Sequence, residues 1–206
     1  MFEDRKSAGI LLARKLKNFV QDNNVLVLAL ARGGVAVGKA VSEVLKVSFD
    51  ALIVKKIGSP QNPELAIGGV GPKNTVFWNE YFLKTLKISE EEKDELLVLK
   101  MAERNAQENL IRGDKPLEIS GKTVILVDDG VATGASVMTA QKFIKKEGAG
   151  KIILATPVVA DDTLKYIKRY FDMVIYLKKV KEFYAVGEFY KDFPQVENEE
   201  VIKLLQ

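Results

Sequence analysis

The chain has 206 residues, of which 47% are hydrophobic and 29% charged, with a formal net charge of +3. At about 150 residues per domain this is one large domain, long enough to bury a sizeable core and too apolar to be globally disordered. Cysteine and histidine are both absent, which excludes disulfides, thiolate nucleophiles, Cys/His zinc sites and histidine general bases.

Residues 5–20 place Ala8, Leu11, Leu12, Leu16 and Phe19 on one helical face. Val25–Leu30 is a continuous apolar run, the pattern of a strand buried on both faces. Arg32-Gly33-Gly34 follows, and Val35, Val37, Ala40, Val41, Val44 and Leu45 continue as a helix. Ala51–Val54 is a second short strand. Residues 57–74, rich in Gly, Pro and Asn, read as a long loop with a short strand at Leu65–Val70. Ser89-Glu90-Glu91-Glu92 is a capping box that opens a helix to about Ile111. The strand Val124–Val127 ends in Asp128-Asp129, and the helix Gly134–Lys146 stops at Gly148. Ile152–Ala155 and Met173–Leu177 read as strands around a helix at Asp161–Tyr170, and Glu197–Leu205 as a closing helix. Short apolar strands alternating with helices predict an α/β fold, a mostly parallel twisted sheet flanked by helices. Ligands of such sheets bind beyond the carboxyl ends of the strands.

The segment Val124-Ile-Leu-Val-Asp128-Asp129-Gly130-Val131-Ala132-Thr133-Gly134-Ala135-Ser136 carries the most chemistry. A buried strand delivers two adjacent carboxylates, and a tight turn then enters a helix whose first amides are unpaired and favour an anion. The turn suits a phosphate dianion. The acids suit vicinal hydroxyls or a hydrated Mg²⁺. Together they fit a sugar phosphate.

This string resembles the 5-phosphoribosyl 1-pyrophosphate (PRPP) binding motif of type I phosphoribosyltransferases. The resemblance implies that Asp128 and Asp129 hold the ribose 2- and 3-hydroxyls, and that Ala132, Thr133, Gly134, Ala135 and Ser136 wrap the 5-phosphate. It places a pyrophosphate loop at Arg32, Gly33 and Gly34, with Ala31–Arg32 the candidate for a cis peptide. Lys55 and Lys56, at the next strand tip, match the basic pair that precedes the family's mobile catalytic loop, here carrying Glu64. Phe2-Glu-Asp-Arg5-x-x-Ala8-Gly9, Lys56-Ile-Gly-x-Pro60-x-Asn62-Pro63-Glu64-Leu65-Ala66-Ile67-Gly68 and Ala185-Val-Gly187-x-Phe-Tyr190-x-Asp192-Phe193-x-Gln195 are similar to a little-characterised phosphoribosyltransferase subgroup, and the match spans nearly the whole chain.

Gly33-Gly-Val-Ala-Val-Gly38-Lys39-Ala40 comes close to a P-loop, but Ala40 stands where that motif needs a metal-binding hydroxyl. The resemblance instead implies a single phosphoribosyltransferase domain over residues 1–206 with a small variable hood within 157–195. It implies Mg²⁺ carried by PRPP and water, with Asp128 and Asp129 as further oxygen donors. The expected catalytic residues are Asp128, Asp129, Lys56 and Glu64. The acceptor is expected to be a small, nucleobase-like molecule with a reacting nitrogen, stacked on Phe183, Tyr184 or Tyr190 or held by residues after Thr156. A PRPP-sensing protein with the same fold and little catalysis is the alternative.

Lys+Arg of 31 against Asp+Glu of 28 is too small an excess to imply a surface that coats nucleic acid, and leaves room only for a local patch. The charged opening MFEDRKSAG leads to the expectation of no secretory signal, and no apolar run is long enough for a membrane span. A cytoplasmic homo-oligomer, a dimer, is expected. Many lysines without Cys or His is a composition of heat-adapted proteins.

Overall fold

A computed structural model describes residues 1–19, 24–113 and 115–206. The chain opens with α1 (Arg5–Leu16), β1 (Val25–Ala31), α2 (Gly33–Leu45) and β2 (Ser48–Ile53). Three short strands follow, β3 (Lys55–Gly58), β4 (Ala66–Val70) and β5 (Val76–Trp78), then α3 (Glu80–Leu86) and α4 (Glu90–Ile111). The rest runs β6 (Thr123–Val127), α5 (Ala135–Lys146), β7 (Lys151–Ala160), α6 (Asp161–Ile167), β8 (Met173–Val180) and α7 (Asn198–Leu205).

Five strands form an all-parallel sheet of order β2-β1-β6-β7-β8. Parallel strands need crossover connections, and the helices supply them. From β1 the chain crosses through α2 outward to β2; from β6 it crosses through α5 the opposite way to β7. Right-handed crossovers in opposite directions put the two helices on opposite faces. The core therefore has two halves. Leu26, Leu28, Leu126 and Leu154 pack with Phe143 and Ile144 of α5. Val27, Ala29, Ile125, Val127 and Ile153 pack with Leu12 and Leu16 of α1 and Val35, Val37 and Val41 of α2. Each fully buried aliphatic side chain contributes about 1.5–3 kcal/mol, which outweighs the low intrinsic helix propensity of the valines in α2.

β1 and β6 are neighbours from which the crossovers diverge, so a crevice opens at their carboxyl ends. Their register sets Ala29 beside Val127, and Val127 beside Ala155 of β7. Asp128-Asp129 and Leu30-Ala31-Arg32 thus leave the sheet side by side.

Of the loop expected over 57–74, the short strand read at Leu65–Val70 is present as β4, but it is the middle of a second, antiparallel sheet of order β3-β4-β5, whose first hairpin loop is residues 59–65. Glycines disguise these strands because their partners come too close for side chains. A methyl group on Gly68 would lie 2.6 Å from Phe77 O and 2.6 Å from the Trp78 ring, and one on Gly69 2.5 Å from Thr139 Oγ1. Ile57, Ile67 and Leu83 of α3 close a small separate core there. The expected first helix is also shorter: α1 stops at Leu16, Leu11 and Phe19 are exposed, and residue 20 lies outside the described residues. The capping box at Ser89 and Glu92 is present, with Glu92 N–H donating to Ser89 Oγ at 3.1 Å and Ser89 N–H to Glu92 Oε2 at 2.8 Å. The P-loop resemblance dissolves because Gly33–Leu45 is helical throughout, with Gly38 packed on Ala29. No described helix is long and apolar enough to cross a membrane.

A glycine in an ordinary loop tolerates alanine or gains from it. Gly68→Ala is instead expected to lose about 1–3 kcal/mol in urea unfolding, because overpacking displaces the β5 backbone. A neutral or stabilising result would contradict the strand assignment.

Candidate active site

The crevice beyond β1 and β6 holds a cavity of about 300 Å³ lined by Leu30, Ala31, Arg32, Gly33, Val54, Lys56, Asp128, Asp129, Gly130, Ser136 and Val186. A narrow slot with about 10 Å³ of free space continues from it along Lys56, Asp128 and the turn Gly130–Val137. Acids, a strand-tip arginine, a lysine and a helix start thus converge on one space.

The turn after the acids is pinned to its neighbour strand. Val131 N–H donates to Val158 O at 2.9 Å, Ala160 N–H to Val131 O at 3.0 Å, and the Thr163 hydroxyl to Ala132 O. Gly134 takes φ +80°, a left-handed backbone that favours glycine. It begins α5 without a side-chain cap, and the nearest substitute is a long contact of 3.5 Å from Ala135 N–H to Thr133 Oγ1. The positive end of a twelve-residue helix therefore faces the slot.

The two acids have different surroundings. Asp129 Oδ2 accepts from Arg5 Nε at 2.8 Å in a largely buried ion pair, and Tyr190 OH donates to Asp129 O at 2.6 Å. Burial holds the Tyr190 hydroxyl well above its usual ionisation range, so it remains a donor. Gly33 makes room for the pair: a methyl group there would sit 2.0 Å from Asp129 Oδ2. Asp128 Oδ1 accepts from Asp129 N–H at 3.0 Å. Burial of its carboxyl, and next the negative charge of Asp129, push Asp128 up to about 8, against a smaller opposing pull from Lys56.

The Ala31–Arg32 peptide bond is cis. Arg32 lines the cavity and also bridges to Glu197 at 3.0 Å. No group of three or more Asp and Glu side chains poised to hold a metal occurs among the described residues. The donor set is a carboxylate pair, which suits a hard cation that keeps its own water and ligand oxygens.

The phosphoribosyl transferase domain pattern matches residues 2–193. The chain belongs to the phosphoribosyltransferase family. Proteins of two Mycobacterium tuberculosis strains that carry the phosphoribosyl transferase name are 34% identical over all 206 residues. This chain spans about half, 46%, of their length. The structure TT1426 from Thermus thermophilus matches with a TM-score of 0.80 at 33% identity, covering 99% of this chain and 97% of that one. The purine phosphoribosyltransferase of Pyrococcus horikoshii matches with a TM-score of 0.50 at 16% identity, covering 94% and 92% of the two chains, a likeness of fold alone.

Within this phosphoribosyltransferase fold, Asp128, Asp129, Lys56, Arg32, Gly33 and Ser136 share one cavity, and Ala132, Thr133, Gly134 and Ala135 line the adjoining slot. Several expected positions lie elsewhere. Lys55, the strand neighbour of Lys56, lines neither space; burial lowers its affinity for a proton, and Glu103, Arg32 and Lys100 are the charges that act on it. Glu64 sits exposed in the hairpin loop and lines neither space. Tyr184 is 79% exposed. Tyr190 is buried, its hydroxyl on Asp129 O and its ring stacked on Phe193, which leaves no face open to a ligand. Phe183 lies apart from the cavity, in a second cleft of about 390 Å³ with Tyr81, Phe82, Tyr166, Ala132 and Thr133. The sequence pattern assigned no role to Arg5, although Arg5 stands inside one of the quoted end motifs.

In an unfolded chain Asp128 ionises near 3.9. Its raised value in the folded protein means that the native state binds this proton more tightly. The stabilising contribution is complete below the unfolded value and is lost as the pH rises towards about 8. Thermal melts of ligand-free protein are expected to show this loss between about pH 5 and 8, and Asp128→Asn to flatten it. An unchanged profile in the variant would contradict this account of Asp128.

Proposed function

We propose that the protein transfers the 5-phosphoribosyl group of PRPP to a nitrogen of a planar, nucleobase-like acceptor and releases pyrophosphate. The observation that carries this reading is the convergence of Asp128-Asp129, Arg32-Gly33, Lys56 and the uncapped start of α5 on one crevice. Those groups match the three parts of PRPP: a diol, a pyrophosphate and a phosphate.

In this reading the 5-phosphate rests at the mouth of the slot, on the amides of Ala132–Ser136 and the hydroxyls of Thr133 and Ser136. The acids accept hydrogen bonds from the ribose hydroxyls, and Asp128 gives up its proton to solvent as the ligand binds. Arg32 and Lys56 hold the pyrophosphate. The bond from ribose C1 to the pyrophosphate oxygen breaks, its electron pair leaving with the oxygen. The acceptor nitrogen forms the new bond to C1 and releases its proton to solvent. Lys56 and Arg32 stabilise the charge that grows on the leaving group, and the acids offset the positive charge on the ribose. Mg²⁺, held by PRPP oxygens with Asp128 and Asp129 as the fitting protein donors, supplies further neutralisation of the pyrophosphate when bound.

The cleft that contains Phe183, Tyr81, Phe82 and Tyr166 adjoins the phosphate turn through Ala132 and Thr133. Aromatic faces with polar edges at Asn79, Asp162 and Thr163 suit a flat heterocycle. This cleft is the proposed acceptor site.

Calorimetry is expected to show Mg²⁺–PRPP binding that Asp128→Asn with Asp129→Asn abolishes while the fold is retained; unchanged affinity would sink the site assignment. Incubation with PRPP and a panel of bases and amines is expected to release pyrophosphate with at least one acceptor. Binding without release across the panel would favour the PRPP-sensing alternative. Phe183→Ala is expected to raise the acceptor KM about tenfold, the equivalent of ~1.4 kcal/mol of stacking, and to leave PRPP affinity unchanged. An unaltered acceptor KM would place the acceptor elsewhere.

A further inference from the structure

Two sequence motifs at opposite ends of the chain meet at one point. Phe2 N–H donates to Phe189 O at 2.7 Å, Lys191 N–H to Phe2 O at 2.8 Å, and Asp192 N–H to Glu3 O at 2.9 Å, so the first residues lie along the stretch that follows Phe189. Asp4 then caps α1, accepting from Ser7 N–H at 2.6 Å and returning the bond through its own N–H to Ser7 Oγ at 3.0 Å. This fixes Arg5 at the first helical position. From there its guanidinium is held on three sides: Nε on Asp129 Oδ2, Nη1 on Pro194 O at 2.7 Å, and the plane 3.6 Å from the centre of the Phe193 ring. Tyr190, from the same C-terminal stretch, holds the main-chain oxygen of Asp129.

The two large halves of the core close without this arrangement, while Tyr190 and Phe189 add a small cluster with Ala8 and Val158. A buried ion pair is weak evidence for a purely stabilising role. The geometric result of the arrangement is specific: the side chain and the carbonyl of Asp129 are each fixed from outside the β6–α5 turn. We propose that Arg5 and Tyr190 are positioning residues that hold Asp129 for the ribose diol, so that the two chain ends together set the affinity for the sugar part of the ligand. The inference rests on the phosphoribosyl reading above and adds to it residues that touch no substrate. A guanidinium fork with a stacked plane is more demanding than a point charge, which explains why one residue meets an acid, a carbonyl and a ring together.

The test separates the sugar from the anion. Wild type, Arg5→Met, Arg5→Lys and Tyr190→Phe are titrated by calorimetry with Mg²⁺–PRPP, ribose 5-phosphate and inorganic pyrophosphate. Arg5→Met is expected to weaken both ribose ligands about 10–100-fold, the scale of a misplaced positioning group, and to leave pyrophosphate within about twofold. Arg5→Lys restores part of the loss. Tyr190→Phe, a milder change that keeps the ring, costs the ribose ligands about 3–10-fold, one hydrogen bond's worth. Unchanged ribose affinities in Arg5→Met overturn the inference, and so does an equal loss on pyrophosphate, which marks a structural role only. If wild type binds neither ribose ligand, the phosphoribosyl reading fails instead. The role toward the sugar then falls with it, and the part that stands apart from it, the positioning of Asp129, is decided by crystal structures of Arg5→Met and Tyr190→Phe: a displaced Asp129 supports it, and an Asp129 still seated against Gly33 overturns it.

Discussion

Two carboxylates on consecutive residues at the floor of a crevice are the constraint around which this fold is arranged. Like charges a few ångströms apart repel by on the order of 4 kcal/mol at an effective dielectric of about 20, and burial adds a desolvation cost to each. The structure treats the two acids differently. Asp129 receives a guanidinium as its counter-charge. Asp128 is buried beside the negative Asp129, with its neighbour's amide and the more distant Lys56 as opposing partners, so its carboxyl holds a proton near neutrality. A pair that would otherwise open the crevice becomes one partnered acid and one group that changes state when a cationic or hydrogen-bonding ligand arrives.

The topology makes this arrangement possible. Diverging crossovers from β1 and β6 leave room above the sheet where the order β2-β1-β6-β7-β8 reverses direction. The register brings Arg32 and the acids out level, and α5 points its start at the same place. The antiparallel sheet carries Lys56 in from the side by pairing β3 against β4, with Gly68 and Gly69 admitting the close approach of Trp78 and Thr139. An anionic ligand is thus met by positive charge from the strand tip, the side sheet and the helix start at once.

Most of the parallel sheet was legible because continuous apolar runs such as Val25–Leu30 and Val124–Val127 have one physical solution, burial on both faces. The strand–turn–helix that carries the two acids was legible because an apolar run, a glycine-bearing turn and a helical pattern follow one another without a break. The strand at Leu65–Val70 was legible but its sheet was hidden: the close approach that Gly68 and Gly69 allow involves Trp78 and Thr139, which lie further along the chain. Lys55 and Lys56 looked alike as a pair, but strand alternation sends them to opposite faces. Tyr190 looked like a stacking face because an aromatic residue reveals nothing about whether its ring or its hydroxyl is the part in use. Arg5 was in plain view within a motif, but its partner is 124 residues away, and no local pattern links the two.

In the proposed reading, the groups the site holds ready are the ones a phosphorylated sugar would engage. The core is closed on both sheet faces, and the ends of the chain are laced together by main-chain bonds. Against that rigid surround stand an uncapped helix start, an exposed lysine and a carboxyl holding a proton it would release to a better partner. The uncapped start and the buried carboxyl each carry a small cost in the free protein, and in the proposed reading a ligand with anionic ends and a diol at the matching spacing engages them together with the lysine. Preorganisation of this kind favours selectivity over raw affinity, because a ligand lacking any one part leaves a buried group unpaired. The rigid elements therefore do more than support the site: by preventing the acids, the turn and the lysine from relaxing towards one another, they keep those costs from being relieved inside the protein.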